Sequence, residues 1–487
     1  MRPARSPFVT GHLATKACTR GEHLKMMKAE DIQSVYFVGA GGIGMSALVR
    51  YFLSRKVVVA GYDRTPSELT EQLRKEGALI HYDENERLIP YECRDPKHTL
   101  VVYTPAIPEN HRELSYFRAE GFSVQKRAEV LGVLTRSMKG LCVAGTHGKT
   151  TTSTMAAHIL RECQGGCNAF LGGISKNFDS NYLLDKESPY VVIEADEFDR
   201  SFHHLTPYAS VITATDPDHL DIYGTKDAYL ESFRHYSSLI QPGGALVIHR
   251  DLEMTEDLQD GVRRYDYSRD EGDFHAENLR IGGGHIVFDF VSPFENIKDV
   301  ELGVPVSINI ENGIAAMALA QIAGCKADDI RRAMLSFAGV QRRFDFQIKT
   351  DKLVFLSDYA HHPAEIRQSI QSLREVFTGR KISAIFQPHL YTRTRDFYKE
   401  FAESLSLLDE VLLLDIYPAR ELPLPGVTSR LIFDALRPDM EKQMVMKAEL
   451  PALVEKKDFD VLMVLGAGDV DNSVPLLTDI LKRKLAQ

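Results

Sequence analysis

Lys149 is the residue about which the chemistry of this chain is most readily argued. It belongs to Gly145-Thr146-His147-Gly148-Lys149-Thr150-Thr151-Thr152, which follows the strand-like run Leu141–Gly145 and opens a helix-like stretch from Ser153 to Arg161. In that setting the backbone N–H groups and the Lys149 ammonium would hold the β and γ phosphates of ATP, and the Thr150 hydroxyl would reach Mg2+. The usual loop has a further glycine where this chain has Val143, so the turn is tighter than the common form. A second glycine loop, Gly39-Ala40-Gly41-Gly42-Ile43-Gly44, also sits between a strand-like and a helix-like run and satisfies G-x-G-x-x-G. Its glycines permit close approach of a phosphate to a helix N-terminus. Asp63 ends the next strand, where a ribose hydroxyl would be bound. This loop does not choose its nucleotide. A nicotinamide enzyme would need only one such loop, and the second argues against a simple dehydrogenase.

A magnesium ion beside the phosphates calls for oxygen ligands at strand ends. Glu194, which ends the run VVIEAD, is the first carboxylate of that kind, with Asp196 and Glu197 adding charge beside it. His219, in Asp216-Pro217-Asp218-His219-Leu220-Asp221, follows the next strand. The order of phosphate loop, acidic strand end and Asp-His strand end makes Thr150, Glu194 and His219 the expected metal set.

These groups have to be positioned by parallel sheets. From Ser34 to Arg136, and again from Leu141 and from Gln341, short apolar runs alternate with amphipathic stretches, the pattern of βαβ units. The expected fold is therefore α/β, with three domains. A Rossmann-like unit would span 31–137, a P-loop-type ATPase with a mostly parallel sheet 138–340, and a second Rossmann-like unit 341–487. Residues 1–30, with six Lys and Arg among them against two Glu, are expected to be a basic, disordered arm. No sequence period suggests a solenoid. The length of 487 residues agrees with several cores, and 44% hydrophobic with 26% charged residues is ordinary globular composition.

A formal net charge of -10 excludes a general nucleic-acid or anionic-membrane binder, so an anionic substrate needs a local site. No apolar run is long enough to span a bilayer, and no secretory h-region is visible, so membrane insertion is not expected and the location is expected to be cytoplasmic. The six cysteines, among which only Cys163 and Cys167 are close, read as reduced thiols without a metal.

Taken together, the motifs resemble those of the Mur ligases. The resemblance runs from Val35 to the end of the chain. It rests on FVGAGGIGMS, Lys126-Arg127-Ala128-Glu129, AGTHGKTTT, EADEFDRSF, DPDHLDIYG, SDYAHHPAEI, FQPHLYTRTRDF and LLDIYPARE. The Thr-His-Gly inside the phosphate loop and the Tyr-Ala-His-His run resemble most the members that add L-alanine to UDP-N-acetylmuramate. Such a member is an ATP-dependent amide ligase of peptidoglycan precursor synthesis, working through an acyl phosphate, with UDP-N-acetylmuramate and L-alanine as small-molecule partners. It would be a monomer or homodimer. By matching position, Gly39, Gly41, Gly42, Ile43, Gly44, Asp63 and Arg127 would serve the UDP-sugar. Gly145, Thr146, His147, Gly148, Lys149, Thr150, Thr151, Asn309, Asn312, Arg343 and Asp358 would serve ATP, and Tyr359, His361 and Arg393 the amino acid. Lys149, Glu194 and His219 would carry catalysis.

The sequence departs from the family pattern at three places. Ile308 stands where many relatives have His, ahead of Asn309 and Asn312, and Leu390 stands where many have Arg, which leaves Arg393 as the main candidate for the amino-acid carboxylate. Arg234 is the basic residue nearest the position of a carbamylated lysine in some relatives, so no such modification is expected. The alternative function is a murein tripeptide ligase of cell-wall recycling, which would share both loops. A folate-type polyglutamate ligase lacks the first loop. A nucleotide-gated binding protein would close without ligation, and phosphate release dependent on both substrates separates it from the enzyme.

Overall fold

The computed structural model describes residues 31–217, 220–419 and 421–486. The expected basic arm over 1–30 and the expected metal ligand His219 both lie outside the described residues.

Three sheets organise the chain, in agreement with the α/β expectation. The first is wholly parallel, in the order Leu79–His81, Val58–Tyr62, Ser34–Val38, Thr99–Tyr103, Ser123–Lys126. Strand order reverses on either side of Ser34–Val38, and a ligand crevice forms beyond the carboxyl ends of strands at such a switch point. The Gly39–Gly44 loop leaves the chain there. Val35, Tyr36, Phe37 and Val38 are all fully buried, as strands covered by helices on both faces require.

The second sheet has the order Arg263–Tyr267, Ala245–His249, Ala209–Ile212, Lys139–Ala144, Tyr190–Glu194, Asn168–Ser175, Ser180–Leu183, with only the last pair antiparallel. The strand that feeds the phosphate loop is central, so its neighbours deliver Glu194 on one side and Thr213 on the other. Behind the loop, helix Lys149–Glu162 packs on helix Ile308–Ile322. The latter is buried almost all round, and Ala315, Ala316, Ala318 and Ala320 let it sit close to its neighbours.

The third sheet runs Asp345–Lys349, Val354–Asp358, Val461–Leu465, Ile382–Phe386, Glu410–Leu413, Glu441–Met444, parallel except for its first pair. A small antiparallel sheet, His275–Gly282, His285–Val291 and Ile297–Glu301, was not anticipated. Its hairpin turns at Gly282, Gly283 and Gly284, with φ of +147°, +59° and +82°. Three successive positive φ values demand residues without a Cβ.

Candidate active site

The phosphate loop is shaped by steric exclusion as much as by hydrogen bonds. Gly145 has φ +129°, and a Cβ there would lie 2.2 Å from Thr213 Oγ1. Gly148, at φ +79°, precedes helix Lys149–Glu162, and a Cβ there would lie 2.7 Å from Asn312 Oδ1. The loop is held from both sides: Thr146 N–H donates to Ala214 O at 3.0 Å, Thr146 Oγ1 to Asp216 O at 2.7 Å, and Thr213 Oγ1 to His147 O. His147 itself is exposed at the tip, and Thr151 is half-buried on the first helical turn.

Lys149 points back over this loop. Its ammonium donates to Gly145 O at 2.6 Å and to Glu197 Oε1 at 2.9 Å. Burial opposes the charge, but Glu197, Glu194 and Asp196 outweigh it and hold the Lys149 pKa above the ordinary lysine value. Thr150 Oγ1 donates to Glu194 Oε1 at 3.1 Å, and the other Glu194 oxygen accepts from Gly172 N–H at 3.1 Å. A Cβ on Gly172 would collide with the Glu194 carboxylate at 2.3 Å, and one on Gly173 with Val340 at 2.6 Å. Sequence reasoning missed this glycine pair, although glycines inside a strand are a recognised sign of close approach. It also left Glu197 as background charge, whereas the structure makes it the direct partner of Lys149.

The loop from Thr146 to Thr151 and Glu194 line a cavity of about 320 Å3 that also takes in Asn309, Asn312, Arg343 and Asp358. Asn309 and Asn312, on the first turn of their helix, are buried and tied in series. Thr152 Oγ1 donates to Asn312 Oδ1 at 3.1 Å, Asn312 Nδ2 to Asn309 Oδ1 at 3.2 Å, and Asn309 Nδ2 to Val304 O at 3.1 Å. Asp358 is buried at the end of its strand and accepts from Ser369 Oγ at 2.5 Å. Burial raises its carboxyl above the usual range, against the pull of Ser369 and Arg343.

Tyr359, His361 and Arg393 come together near the same cleft, in company with His389, which sequence reasoning did not single out. The Tyr359 and His361 rings are 5.1 Å apart, the His361 and His389 rings 5.9 Å, and Arg393 Nη1 is 3.4 Å from His389 Nδ1. Burial and the neighbouring Arg393 push the His389 imidazole down to about 4, so it is neutral at physiological pH. Leu390, one of the departures, precedes the helix at φ +73°.

In the first sheet, Gly39 turns at φ +91° and its N–H donates to Tyr62 O at 2.8 Å. Asp63 is drawn into the loop. One carboxylate oxygen accepts from Gly41 N–H at 2.6 Å, the other from Thr65 N–H at 3.2 Å. A Cβ on Gly44 would sit 2.2 Å from Arg127 Nη1, so that guanidinium rests on the first turn of helix Ile43–Ser54. The far side of Arg127 lies 3.8 Å from Asp196, beside the phosphate loop. Arg127 therefore stands between the two glycine loops. Gly42 caps the same helix with its backbone, and Ile43 O accepts from Asn181 Nδ2 at 2.5 Å, joining the first sheet's helix to the central sheet.

Two glycine loops on separate, mainly parallel sheets, the second opening into a cavity also lined by residues of the third unit, define a multidomain nucleotide-dependent enzyme. The profile of the Mur ligase family catalytic domain matches residues 34–139, that of the Mur ligase middle domain 143–320, and that of the Mur ligase glutamate ligase domain 342–468. The chain belongs to the Mur ligase family. It is 66% identical to the UDP-N-acetylmuramate–L-alanine ligase of Phocaeicola vulgatus over 94% of this chain and 100% of that one. With the enzyme of the same name from Parabacteroides distasonis it shares 59% identity over 94% and 99%. Among solved structures, UDP-N-acetylmuramate–alanine ligase from Thermotoga maritima superposes with a TM-score of 0.77 at 28% identity, covering 93% of this chain and 99% of that one. A murein peptide ligase from Psychrobacter arcticus has a TM-score of 0.63 at 20% identity over 92% and 98%, and so shares the fold.

Proposed function

We propose that this chain is an ATP-dependent ligase that joins L-alanine to UDP-N-acetylmuramate. The observation that carries the reading is the Lys149 ammonium, paired with Glu197 at 2.9 Å over a glycine loop whose cavity is also lined by Arg343 and Asp358 from the third unit. A cation fixed before substrate arrives stabilises the charge of a transferring phosphoryl group without reorganisation. The relatives at 66% and 59% identity carry the alanine-adding name over nearly the whole chain, which favours that substrate over a recycled tripeptide.

In this reading Gly39–Gly44, Asp63 and Arg127 serve the UDP-sugar, and 31–137, 138–340 and 341–487 act as the sugar, ATP and amino-acid units. The muramate carboxylate attacks the γ phosphorus, ADP leaves, and the acyl phosphate forms between the two loops, where Arg127 can neutralise the approaching anions. The alanine amine then attacks the acyl carbon, phosphate leaves with the bonding electrons, and the amine's proton passes to the departing phosphate. Arg393 would grip the alanine carboxylate, with Tyr359 and His361 bounding the side-chain pocket. Neutral His389 can accept an Arg393 N–H without competing for the carboxylate. Thr150 and Glu194 form an oxygen pair of the kind that suits Mg2+, and with His219 they would hold it. When bound, the ion shields phosphate charge. We place the enzyme in the cytoplasm. Among the described residues no helix is long and apolar enough to cross a membrane. The test is phosphate release by the purified chain. Release that needs both UDP-N-acetylmuramate and L-alanine is expected, and release with a tripeptide in place of alanine at equal efficiency would overturn the substrate.

A further inference from the structure

The chain passes from the second sheet to the third through a reversal that no role assigned above explains. Residues 339–341 run beside the end of strand Asn168–Ser175: Lys176 N–H donates to Gly339 O at 3.0 Å, and Gln341 N–H to Ile174 O at 2.9 Å. The chain then folds back, with Arg343 N–H donating to Val340 O at 3.1 Å. Arg342 takes φ +63° and Phe344 φ +42°, so Arg343 is flanked on both sides by left-handed residues that carry side chains. Such values persist only where the surroundings over-determine them. A turn with positive φ at its third position ordinarily takes glycine or asparagine there.

What over-determines this turn is Asp345. It is buried, one carboxylate oxygen accepts from Arg342 N–H at 3.1 Å, and the other from the Lys176 ammonium at 2.5 Å. Lys176 continues the central sheet's strand, while Asp345 begins the first strand of the third sheet and pairs with Ser357. A second set of contacts fixes the far side of the turn. Tyr359 N–H donates to Arg342 O at 2.8 Å, and the Arg342 and Arg343 guanidinium carbons lie 4.9 and 5.0 Å from the Tyr359 ring centre. Arg342 is then drawn off to Asp471 at 3.1 Å, and Arg343 is the arginine of the pair that lines the nucleotide cavity. The two adjacent arginines are thereby sorted, one to a structural carboxylate and one to the site.

We propose that Asp345, held by Lys176, is a positioning residue for Arg343: the pair locks the strained reversal and so aims the Arg343 guanidinium at the ATP phosphates. The inference rests on the reading of Arg343 as a phosphate contact. It predicts more than a joint between sheets, because a joint would matter equally whether or not Arg343 were present.

The experiment is a double-mutant cycle in the full chain with Lys176→Met, Arg343→Ala and the pair together. ATP and UDP-N-acetylmuramate kinetics are measured well below each variant's Tm. Lys176→Met is expected to lower kcat/KM for ATP about tenfold while changing the UDP-sugar KM less than about twofold, and to add less than about twofold once Arg343 is gone. Lys176→Arg, which keeps the charge, is expected to restore at least about half of the lost ATP efficiency. If Lys176→Met is not recovered folded, Lys176→Gln takes its place in the same cycle. An equal factor with and without Arg343, or equal loss on both substrates, would overturn the clamp and leave the phosphate reading standing. Unchanged ATP kinetics in Arg343→Ala would overturn that reading, and the clamp with it.

Discussion

Gly39–Gly44 and Gly145–Lys149 both leave the carboxyl end of a central parallel strand and both run into a helix, yet the charged groups close on them in opposite order. At the first loop a carboxylate is innermost: Asp63 takes the Gly41 and Thr65 N–H groups, and the cation, Arg127, reaches the helix start from a distant segment. At the second, the cation is part of the loop itself, and the carboxylate Glu197 stands behind it. The first arrangement suits a pyrophosphate whose charge stays the same through the reaction, since only placement is needed. The second suits a phosphoryl group whose charge is redistributed, because a buried ammonium acts most strongly on what changes in the transition state. On the proposed function, two loops with one backbone logic would divide into a holding site and a reacting site.

The largest effect should come from removing the inner cation. Lys149→Ala is expected to reduce kcat by at least about 10²-fold, as loss of a preorganised charge at a transferring group typically does. UDP-N-acetylmuramate affinity, measured by calorimetry without ATP, should stay within about twofold. A variant that loses sugar binding and turnover alike would dissolve the distinction between the loops. Gly148→Ala tests the same loop through its backbone. Its φ of +79° and the 2.7 Å approach to Asn312 Oδ1 leave no room for a methyl group. Left-handed strain of about 1–2 kcal/mol should appear as lost stability, and displacement of the loop amides from the phosphates should lower kcat/KM for ATP by about thirtyfold. Steady-state kinetics at saturating sugar and alanine would show it.

Both loops were legible in the sequence because their glycines stand at fixed offsets between an apolar run and an amphipathic one, and so was the three-unit α/β architecture. Glu197, Gly172 and Gly173 were less visible. Each acts through a contact between segments that are neighbours in space and separated in sequence, and a glycine pair within a strand does not say which carboxylate it admits. The chain of hydrogen bonds from Thr152 through Asn312 and Asn309 to Val304 was hidden for the same reason, since it depends on two helices meeting across 160 residues. Spacing alone places Asp63 beside a ribose, and the structure shows one of its oxygens engaged with the loop at Gly41 and the other with its own turn at Thr65. The small sheet of residues 275–301 escaped because its one clear signal, three consecutive glycines, was not read as a hairpin.

The first loop should answer to bulk rather than to charge. A Cβ on Gly41 would meet Thr70 Cγ2 at 2.5 Å and Asp63 Oδ2 at 2.9 Å. Gly41→Val is therefore expected to raise the KM for UDP-N-acetylmuramate about tenfold while leaving that for ATP within about twofold. An equal rise for both substrates would mean that the two loops form one coupled site.

The smallest effect sharpens the comparison most, because it neutralises the innermost group of the holding site without changing its size. In Asp63→Asn the amide oxygen can still accept from Gly41 N–H or from Thr65 N–H, but the amide nitrogen then faces the other as donor against donor. Losing one hydrogen bond to a charged acceptor costs about 1.5 kcal/mol at the low end of the usual range. Against this, an incoming pyrophosphate no longer meets a carboxylate behind the loop, a relief on the order of 1 kcal/mol at the separations and screening of a surface cleft. The two terms nearly cancel, and the affinity for UDP-N-acetylmuramate should fall only about threefold, with ATP kinetics unchanged. Calorimetry at two ionic strengths resolves the balance, since the repulsive term is screened by salt and the hydrogen bond is not. The deficit should therefore widen as salt is raised. A hundredfold loss at either salt would show that Asp63 touches the nucleotide directly, and the first loop would then have the same inner contact with its ligand that Lys149 gives the second.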